Sequence, residues 1–103
     1  MQSDKEIVDL CLNDGIHHFE KIIKSYNNYV FGVMMRITAG NIHFSEDLTQ
    51  MAFLRAMKYL NSYDSSRELK TWLVQIAINC FKNEVKTINK YVGHLIKEFE
   101  NNG

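Results

Sequence analysis

The stretch of sequence that decides the fold covers residues 45–86. It reads SEDLTQMAFLRAMKYLNSY over residues 45–63 and LKTWLVQIAINCFKNEVK over residues 69–86. In both pieces apolar residues recur at intervals of three and four positions, the spacing that keeps them on one face of an α-helix. The segment from Asn61 to Ser66 is polar and favours a turn. This stretch therefore predicts two amphipathic helices joined by an exposed loop.

Local signals place the ends of these two helices. Ser45 is the expected N-cap of the first, which should end near Leu60. Ser65, followed three residues later by Glu68, matches a capping box and should start the second, which should run to about Tyr91. The stripe of this second helix that is predicted to be buried comprises Leu69, Leu73, Ile76, Ala77, Cys80, Ile88 and Tyr91.

Two more helices are predicted before this stretch, a short one over residues 4–12 and a long one over residues 16–38. Glycine-containing turns at residues 13–15 and 39–41 should end them. With no strand pattern and no proline, the sequence predicts an all-α fold, a compact bundle of three to four helices. Residues 1–92 should form one domain, and residues 93–103 a C-terminal tail, as a frayed helix or the start of an interdomain linker.

The charge balance argues at first against nucleic-acid binding, because 12 basic side chains face 12 acidic ones. Residues 1–51 carry four basic and seven acidic side chains, however, and residues 52–103 carry eight and five. Nucleic acid would therefore meet the second half of the chain. No apolar run is long enough for a membrane span, which favours a cytoplasmic protein. The cysteines Cys11 and Cys80 should be reduced and packed, with one disulfide as the alternative. No pattern of metal ligands or catalytic groups stands out, so neither a metal site, a cofactor nor an enzyme is expected.

The outer face of the third predicted helix has an unusual composition. A helical wheel places Thr49, Ala52, Phe53, Ala56, Tyr59 and Leu60 toward the core. The opposite side carries Asp47, Gln50, Met51, Leu54 and Lys58. An acid and an amide beside exposed apolar residues are typical of a protein docking surface. Contact of Met51 and Leu54 with another part of the same domain is an equally good interpretation.

The fourth predicted helix has a polar face without acidic residues. This face carries Thr71, Gln75, Ile78, Asn79, Lys82, Lys86, Asn89 and Lys90. Amides and hydroxyls suit base edges, and lysines suit phosphates. Arg67 and Lys70 extend the basic surface, and Tyr63 offers a ring that could stack on an unpaired base. A merely solvated helix face is the alternative, and it is the commoner origin of such a pattern.

These two segments together resemble region 2 of bacterial RNA polymerase sigma factors, in particular the extracytoplasmic-function (ECF) group. The family pattern has an Asp-hydrophobic-x-Gln helix with a following Phe, matched here by Asp47, Leu48, Gln50 and Phe53. After a loop comes a Trp-Leu-x-x-Ile-Ala-x-Asn helix, matched by Trp72, Leu73, Ile76, Ala77 and Asn79. The resemblance extends over about residues 4–90, and two multi-residue motifs in order make it specific.

The resemblance implies a transcription initiation factor with two partners. The first is core RNA polymerase, whose clamp helices in the largest subunit would contact Asp47 and Gln50, with Met51, Leu54 and Met57 as neighbours. The second is the promoter −10 element, bound as melted non-template single-stranded DNA. The implied DNA-binding residues are Tyr63, Arg67, Lys70, Thr71, Gln75, Asn79, Lys82, Lys86 and Lys90. An anti-sigma protein is a further candidate partner.

The sequence also departs from the family pattern. Met51 replaces a common acidic residue, Ile78 stands where many members have Arg, and Thr87 stands where a second basic residue often follows. The domain that reads the −35 element is not found in this sequence, so an excised domain or a reduced sigma-like protein is expected. These departures leave open a second hypothesis, a sigma-like decoy that binds polymerase or an anti-sigma protein without reading promoters. A helical bundle with no link to polymerase is the third.

Overall fold

The computed structural model describes residues 2–102, which form four α-helices and two short 3₁₀ turns. The helices are α1 (Asp4–Asn13), α2 (Phe19–Ile37), α3 (Ile42–Lys58) and α4 (Leu69–Asn102). The 3₁₀ turns, Ile16–His18 and Leu60–Ser62, precede α2 and follow α3. No strand occurs within these residues, which confirms the all-α prediction.

The core lies where α1, α2 and α3 pack around the first third of α4. Its largest fully buried side chains include Phe19, Met34, Leu48 and Leu73. Each of the four α-helices contributes one apolar stripe, as the three- and four-residue spacings predicted. Cys11 and Cys80 belong to this core as free thiols, and burial raises the pKa of both.

The turn between α2 and α3 forms as predicted, but the N-cap of α3 does not. Ala39 and Gly40 have positive φ angles of 56° and 85°, and the Gly40 N–H donates to the carbonyl of Met35 (2.8 Å) to end α2. The cap of α3 is Asn41, whose side chain accepts from the Phe44 N–H at 3.0 Å. Ser45 was predicted in this role. It is instead fully buried inside the helix, where its hydroxyl donates to the Asn41 carbonyl (2.7 Å).

The start of α4 also differs from the prediction. The capping box from Ser65 does not form, because Ser65 lies in the loop and α4 begins only at Leu69. Asp64 organises this loop instead, since its carboxylate accepts from both the N–H (2.9 Å) and the hydroxyl (2.8 Å) of Ser66. These hydrogen bonds lower the pKa of Asp64, and that from the Ser66 N–H contributes most.

The largest difference is the length of α4, which continues past Tyr91 as far as Asn102. This extension gives the described chain a long dimension of 63 Å against 25 and 23 Å. The bundle does not accompany it, so Ile88 and Tyr91, both predicted to be buried, are 49% and 64% exposed. Tyr59, predicted to face the core, is 49% exposed at the C-terminal end of α3.

Candidate polymerase and nucleic-acid interfaces

Four of the five residues predicted to bind polymerase line one groove between α2 and α3. Asp47, Gln50 and Leu54 are exposed, Met57 is half-buried, and all four border an opening of about 520 Å³. Among these exposed residues Leu54 is the apolar one, and its exposed fraction is 58%. Met51 does not line the groove, because it is half-buried against the core. We call this opening the α2–α3 groove.

The opposite wall of the groove was not predicted from the sequence. It consists of Ile23, Asn27 and Phe31 of α2, which recur at four-residue intervals and so form one ridge of that helix. That spacing is a signal in the sequence, but only the packing of α2 on α3 shows which surface the ridge borders. Glu46 adds a second acidic side chain to Asp47 at the rim. The groove therefore combines an apolar floor with an acidic edge.

Six of the residues predicted to bind DNA lie exposed on α4. These residues, which we call the polar stripe, are Thr71, Gln75, Asn79, Lys82, Lys86 and Lys90. The Gln75 side-chain amide donates to the amide oxygen of Asn79 at 3.2 Å, which orients both amides along the helix. The two ion pairs among residues 2–101 involve other side chains. The three lysines of the stripe are therefore available to an anion.

The N-terminal end of the polar stripe borders a small cavity of about 190 Å³. Tyr29 of α2 forms one wall, and Glu68, Lys70, Thr71 and Gln75 contribute polar groups. The Lys70 ammonium lies 4.6 Å from the centroid of the Tyr29 ring, a cation–π contact that holds this lysine at the rim. Val74 completes the lining. The cavity thus offers donors, acceptors and an aromatic wall beside the polar stripe.

The loop residues predicted to contact DNA are more constrained. The Tyr63 ring is half-buried, 5.0 Å from the Trp72 ring between centroids, and its hydroxyl donates to the backbone carbonyl of Arg67. Burial is the largest cause that raises the pKa of Tyr63. Arg67 itself is exposed. Tyr63 therefore fixes the loop, and its use as a stacking platform stays a prediction.

One cluster at the turn between α1 and α2 was missed by sequence reasoning. Asp14, His17 and His18 bring their ligand atoms within 4.8 Å of one another. The Asp14 carboxylate lies 2.7 Å from Nε2 of His18, and this hydrogen bond is the main cause that lowers the pKa of Asp14. The contact joins residues four apart around the α1–α2 turn. This hydrogen bond joins the end of α1 to the 3₁₀ turn that precedes α2, which explains why the cluster forms.

No helix among residues 2–102 combines the length and apolarity that a membrane span requires.

Comparison with known proteins places the chain in a family. Residues 22–90 match the sigma-70 region 2 family. The ECF RNA polymerase sigma factor SigW of Bacillus subtilis (strain 168) is 38% identical over 61 residues, which are 59% of this chain and 32% of that protein. The ECF RNA polymerase sigma factor SigM of the same strain is 37% identical over 73 residues, 71% of this chain and 44% of that protein. The RNA polymerase sigma-H factor of Pseudomonas aeruginosa is 25% identical over 84 residues, 82% of this chain and 43% of that protein.

No solved structure matches the chain. The chain spans less than half the length of the curated relatives it matches. The family match nevertheless covers α3 and most of α2 and α4, the helices that carry the groove, the cavity and the polar stripe. The chain belongs to the sigma-70 region 2 family, and its relatives SigW and SigM are ECF sigma factors.

Proposed function

We propose that this chain is the domain of an ECF-type sigma factor that binds core RNA polymerase and recognises and melts the promoter −10 element. The observation that carries the proposal is the arrangement of two different surfaces on consecutive helices of a sigma-70 region 2 chain. The α2–α3 groove has an acidic rim, and the polar stripe of α4 has no acidic residue. Such surfaces suit a protein partner and a nucleic acid, respectively.

The α2–α3 groove suits a polymerase segment that carries both apolar and basic side chains. Its floor includes Phe53, and Leu54 stands exposed at its edge. Burial of an exposed apolar side chain such as Leu54 at an interface contributes to affinity. Asp47 at the rim would pair with a basic residue of the clamp helices in the largest subunit, and such pairs determine orientation and speed of association.

The polar stripe and the small cavity suit an unpaired DNA strand. Consecutive stripe lysines, Lys82, Lys86 and Lys90, are four residues apart and so are spaced about 6 Å along the helix axis. They can hold successive phosphates, while Asn79 and Gln75 present donors and acceptors to a base edge. The cavity beside Lys70 would receive a base that has left the stack. The base in the cavity requires unpaired DNA, whereas the phosphate contacts are also possible with duplex DNA.

The mechanism is therefore binding and not catalysis. Duplex and melted promoter DNA are in equilibrium, and a protein that binds the melted state more tightly shifts the population toward it. Melting is thus driven by stacking, base-edge hydrogen bonds and phosphate contacts. We place this activity in the cytoplasm, where polymerase and promoter DNA meet. An anti-sigma protein that covers the α2–α3 groove would compete with polymerase.

The DNA half of the proposal is tested by fluorescence anisotropy with labelled single-stranded oligonucleotides that carry −10-like sequences, and with the matching duplexes. Wild type should bind the single strands measurably at low salt and the duplexes more weakly. Asn79→Ala and Lys82→Ala should each reduce single-strand affinity roughly tenfold, the effect of about 1.4 kcal/mol. The control Lys24→Ala removes an exposed lysine of α2 that pairs with Glu20 at 3.1 Å, and it should bind like wild type.

The polymerase half is tested by capture of core RNA polymerase on the immobilised chain. Asp47→Ala and Gln50→Ala should each weaken capture, whereas Asp9→Ala, which removes an exposed acid of α1, should not. Capture without single-strand binding by wild type would support the decoy hypothesis, which the missing charges at Met51, Ile78 and Thr87 motivate. Absence of capture, or capture unchanged by both groove variants, would contradict the proposed docking surface.

A further inference from the structure

The part of α4 beyond the bundle exposes an apolar face. From Lys86 to Asn101 every residue is exposed. Twelve large hydrophobic residues of the described chain are exposed, and half of them lie in this segment. They are Ile88, Tyr91, Val92, Leu95, Ile96 and Phe99, with exposed fractions between 43% and 85%. No other residue that the structure describes covers this face.

The amino-acid composition of this segment gives it a low intrinsic preference for helix. Isolated helices of this length are marginal in water even when they are rich in alanine. The segment instead contains Gly93, several asparagines and β-branched residues, all of which lower helix propensity. A partner that covers the apolar face would therefore add to the stability of this part of α4.

The spacing of the apolar residues identifies the kind of partner. Val85, Ile88, Val92, Leu95 and Phe99 follow one another at alternating steps of three and four, the a/d pattern of a coiled coil. We call these five residues the seam. Val85 and Val92 occupy a positions, whereas Ile88 and Leu95 occupy d positions. Val85 and Val92 at a with Leu95 at d are the combination that favours two parallel strands. Ile88 at d does not add to this preference.

We propose that the seam is a self-association surface, through which two copies of this chain pair their α4 extensions as a parallel two-stranded coiled coil. The remaining exposed residues fit this arrangement. In a parallel pair a g position faces the e position five residues later in the second copy. Tyr91 is at g and Ile96 is at e, so Tyr91 of each copy faces Ile96 of the other. All six exposed hydrophobic residues are then covered.

Charge favours the parallel over the antiparallel orientation. An antiparallel pair brings g positions of the two copies together, and it would place Glu84 of one copy near Glu98 of the other. Like charges in such positions are destabilising. In the parallel pair Glu84 faces Asn89 instead. Both glutamates then avoid an acidic neighbour across the interface.

The size and direction of the seam allow this dimer. Burial of the six residues from both copies would cover on the order of 1,000 Å², the lower end of specific interfaces. At about 100° per residue, the seam points roughly a quarter turn away from Leu73, Ala77 and Cys80, which face the bundle. Lys86 and Lys90 lie on the far side of the helix. A second copy on the seam therefore leaves Lys86 and Lys90 uncovered.

Sedimentation equilibrium of the full chain, from roughly 1 to 200 µM, tests the proposal. Wild type should dimerise, and its helix content by circular dichroism should fall as it dissociates on dilution. Leu95→Glu places a charge in the seam and should raise the dissociation constant roughly 100-fold. The matched control His94→Glu places the same charge at the adjacent position, outside the seam. Its dissociation constant should stay within about threefold of that of wild type.

Oxidative cross-linking tests the orientation. Leu95→Cys should form a covalent dimer, because equivalent d positions of a parallel pair face each other, whereas wild type should not, because Cys11 and Cys80 are buried. A wild-type chain that stays monomeric at roughly 200 µM would overturn the proposal. A dimer that tolerates Leu95→Glu, or that does not cross-link through Leu95→Cys, would also overturn it. Core polymerase that protects the seam of a monomeric chain would identify a different occupant and would equally overturn it.

Discussion

Single-strand binding by this chain should depend on salt to a degree set by the cations near the polar stripe. The perturbation is the double substitution Lys82→Ala with Lys86→Ala. Five cations lie along this surface, namely Arg67, Lys70, Lys82, Lys86 and Lys90. If each neutralises one phosphate, log K should fall with log[salt] at a slope of about −3.5, because a single strand contributes about 0.7 per neutralised phosphate.

The number of cations that remain sets the salt dependence expected for the double variant. With three cations left, the slope should be about −2.1. An increase from 50 to 200 mM salt should then reduce wild-type affinity about 100-fold but variant affinity only about 20-fold. Both substitutions lie at exposed positions of α4, so the free energy of unfolding should change by less than about 0.5 kcal/mol. Loss of binding would therefore not reflect loss of the fold.

The assay is a fluorescence anisotropy titration of a short labelled single strand at four or more salt concentrations. Lys24→Ala serves as the control, because Lys24 lies on α2 in an ion pair with Glu20, and it should keep the wild-type slope. A double variant with weaker binding but an unchanged slope would contradict this prediction. That result would mean that these lysines do not neutralise phosphates.

Three further predictions concern stability and the groove. Burial is the largest cause that raises the pKa of Tyr26 to about 12, and the hydrogen bond to Asp4 is the next. Folding therefore favours the neutral phenol. The free energy of unfolding should fall by up to about 2 kcal/mol as the pH rises from 10 to 12. Urea unfolding at several pH values checks this, and Tyr26→Phe should lose much less over the same range. Leu48→Ala should lower the free energy of unfolding by about 3–5 kcal/mol, because Leu48 is fully buried. Leu54→Ala changes an exposed residue, so it should keep the thermal midpoint and weaken polymerase capture. Equal losses of stability in the two variants would contradict the burial pattern. Asn41→Ala should cost about 1 kcal/mol of unfolding free energy through loss of the α3 N-cap, and an unchanged urea midpoint would show that the cap contributes little.

Periodicity predicted the core well where a neighbouring helix is present. On α3 the predicted core positions Ala52, Phe53 and Ala56 are buried, because the spacing of apolar residues records the face that packs. The same rule was wrong for Ile88 and Tyr91 of α4. Periodicity identifies an apolar face, but it does not say whether another element of the same chain lies against it.

Helix ends were predicted less well because several side chains compete for the same role. Asn41 and Ser45 can both cap a helix, and their preferences are nearly equal. Asn41 caps α3 because the turn at Gly40 ends just before it. Ser45 then lies one turn inside the helix, where it is buried. Such a choice depends on tertiary packing, which the local sequence does not contain.

The candidate surfaces were predictable to different extents. The polar stripe follows from the sequence of α4 alone, since one helix carries all of its residues. The α2–α3 groove needs two helices, so only the wall that includes Asp47 and Gln50 was predicted. The wall with Ile23 and Phe31 depends on how α2 packs on α3. The cavity beside Lys70 likewise needs Tyr29 from a distant part of the chain.

The most direct test of the central claim is single-strand binding by the complex of this chain with core RNA polymerase. A labelled −10-like single strand is titrated with core polymerase alone, with the chain alone and with both together. We expect the complex to bind it far more tightly than either component, and Asn79→Ala to remove most of the gain. A complex that binds the strand no better than core polymerase alone would contradict the account.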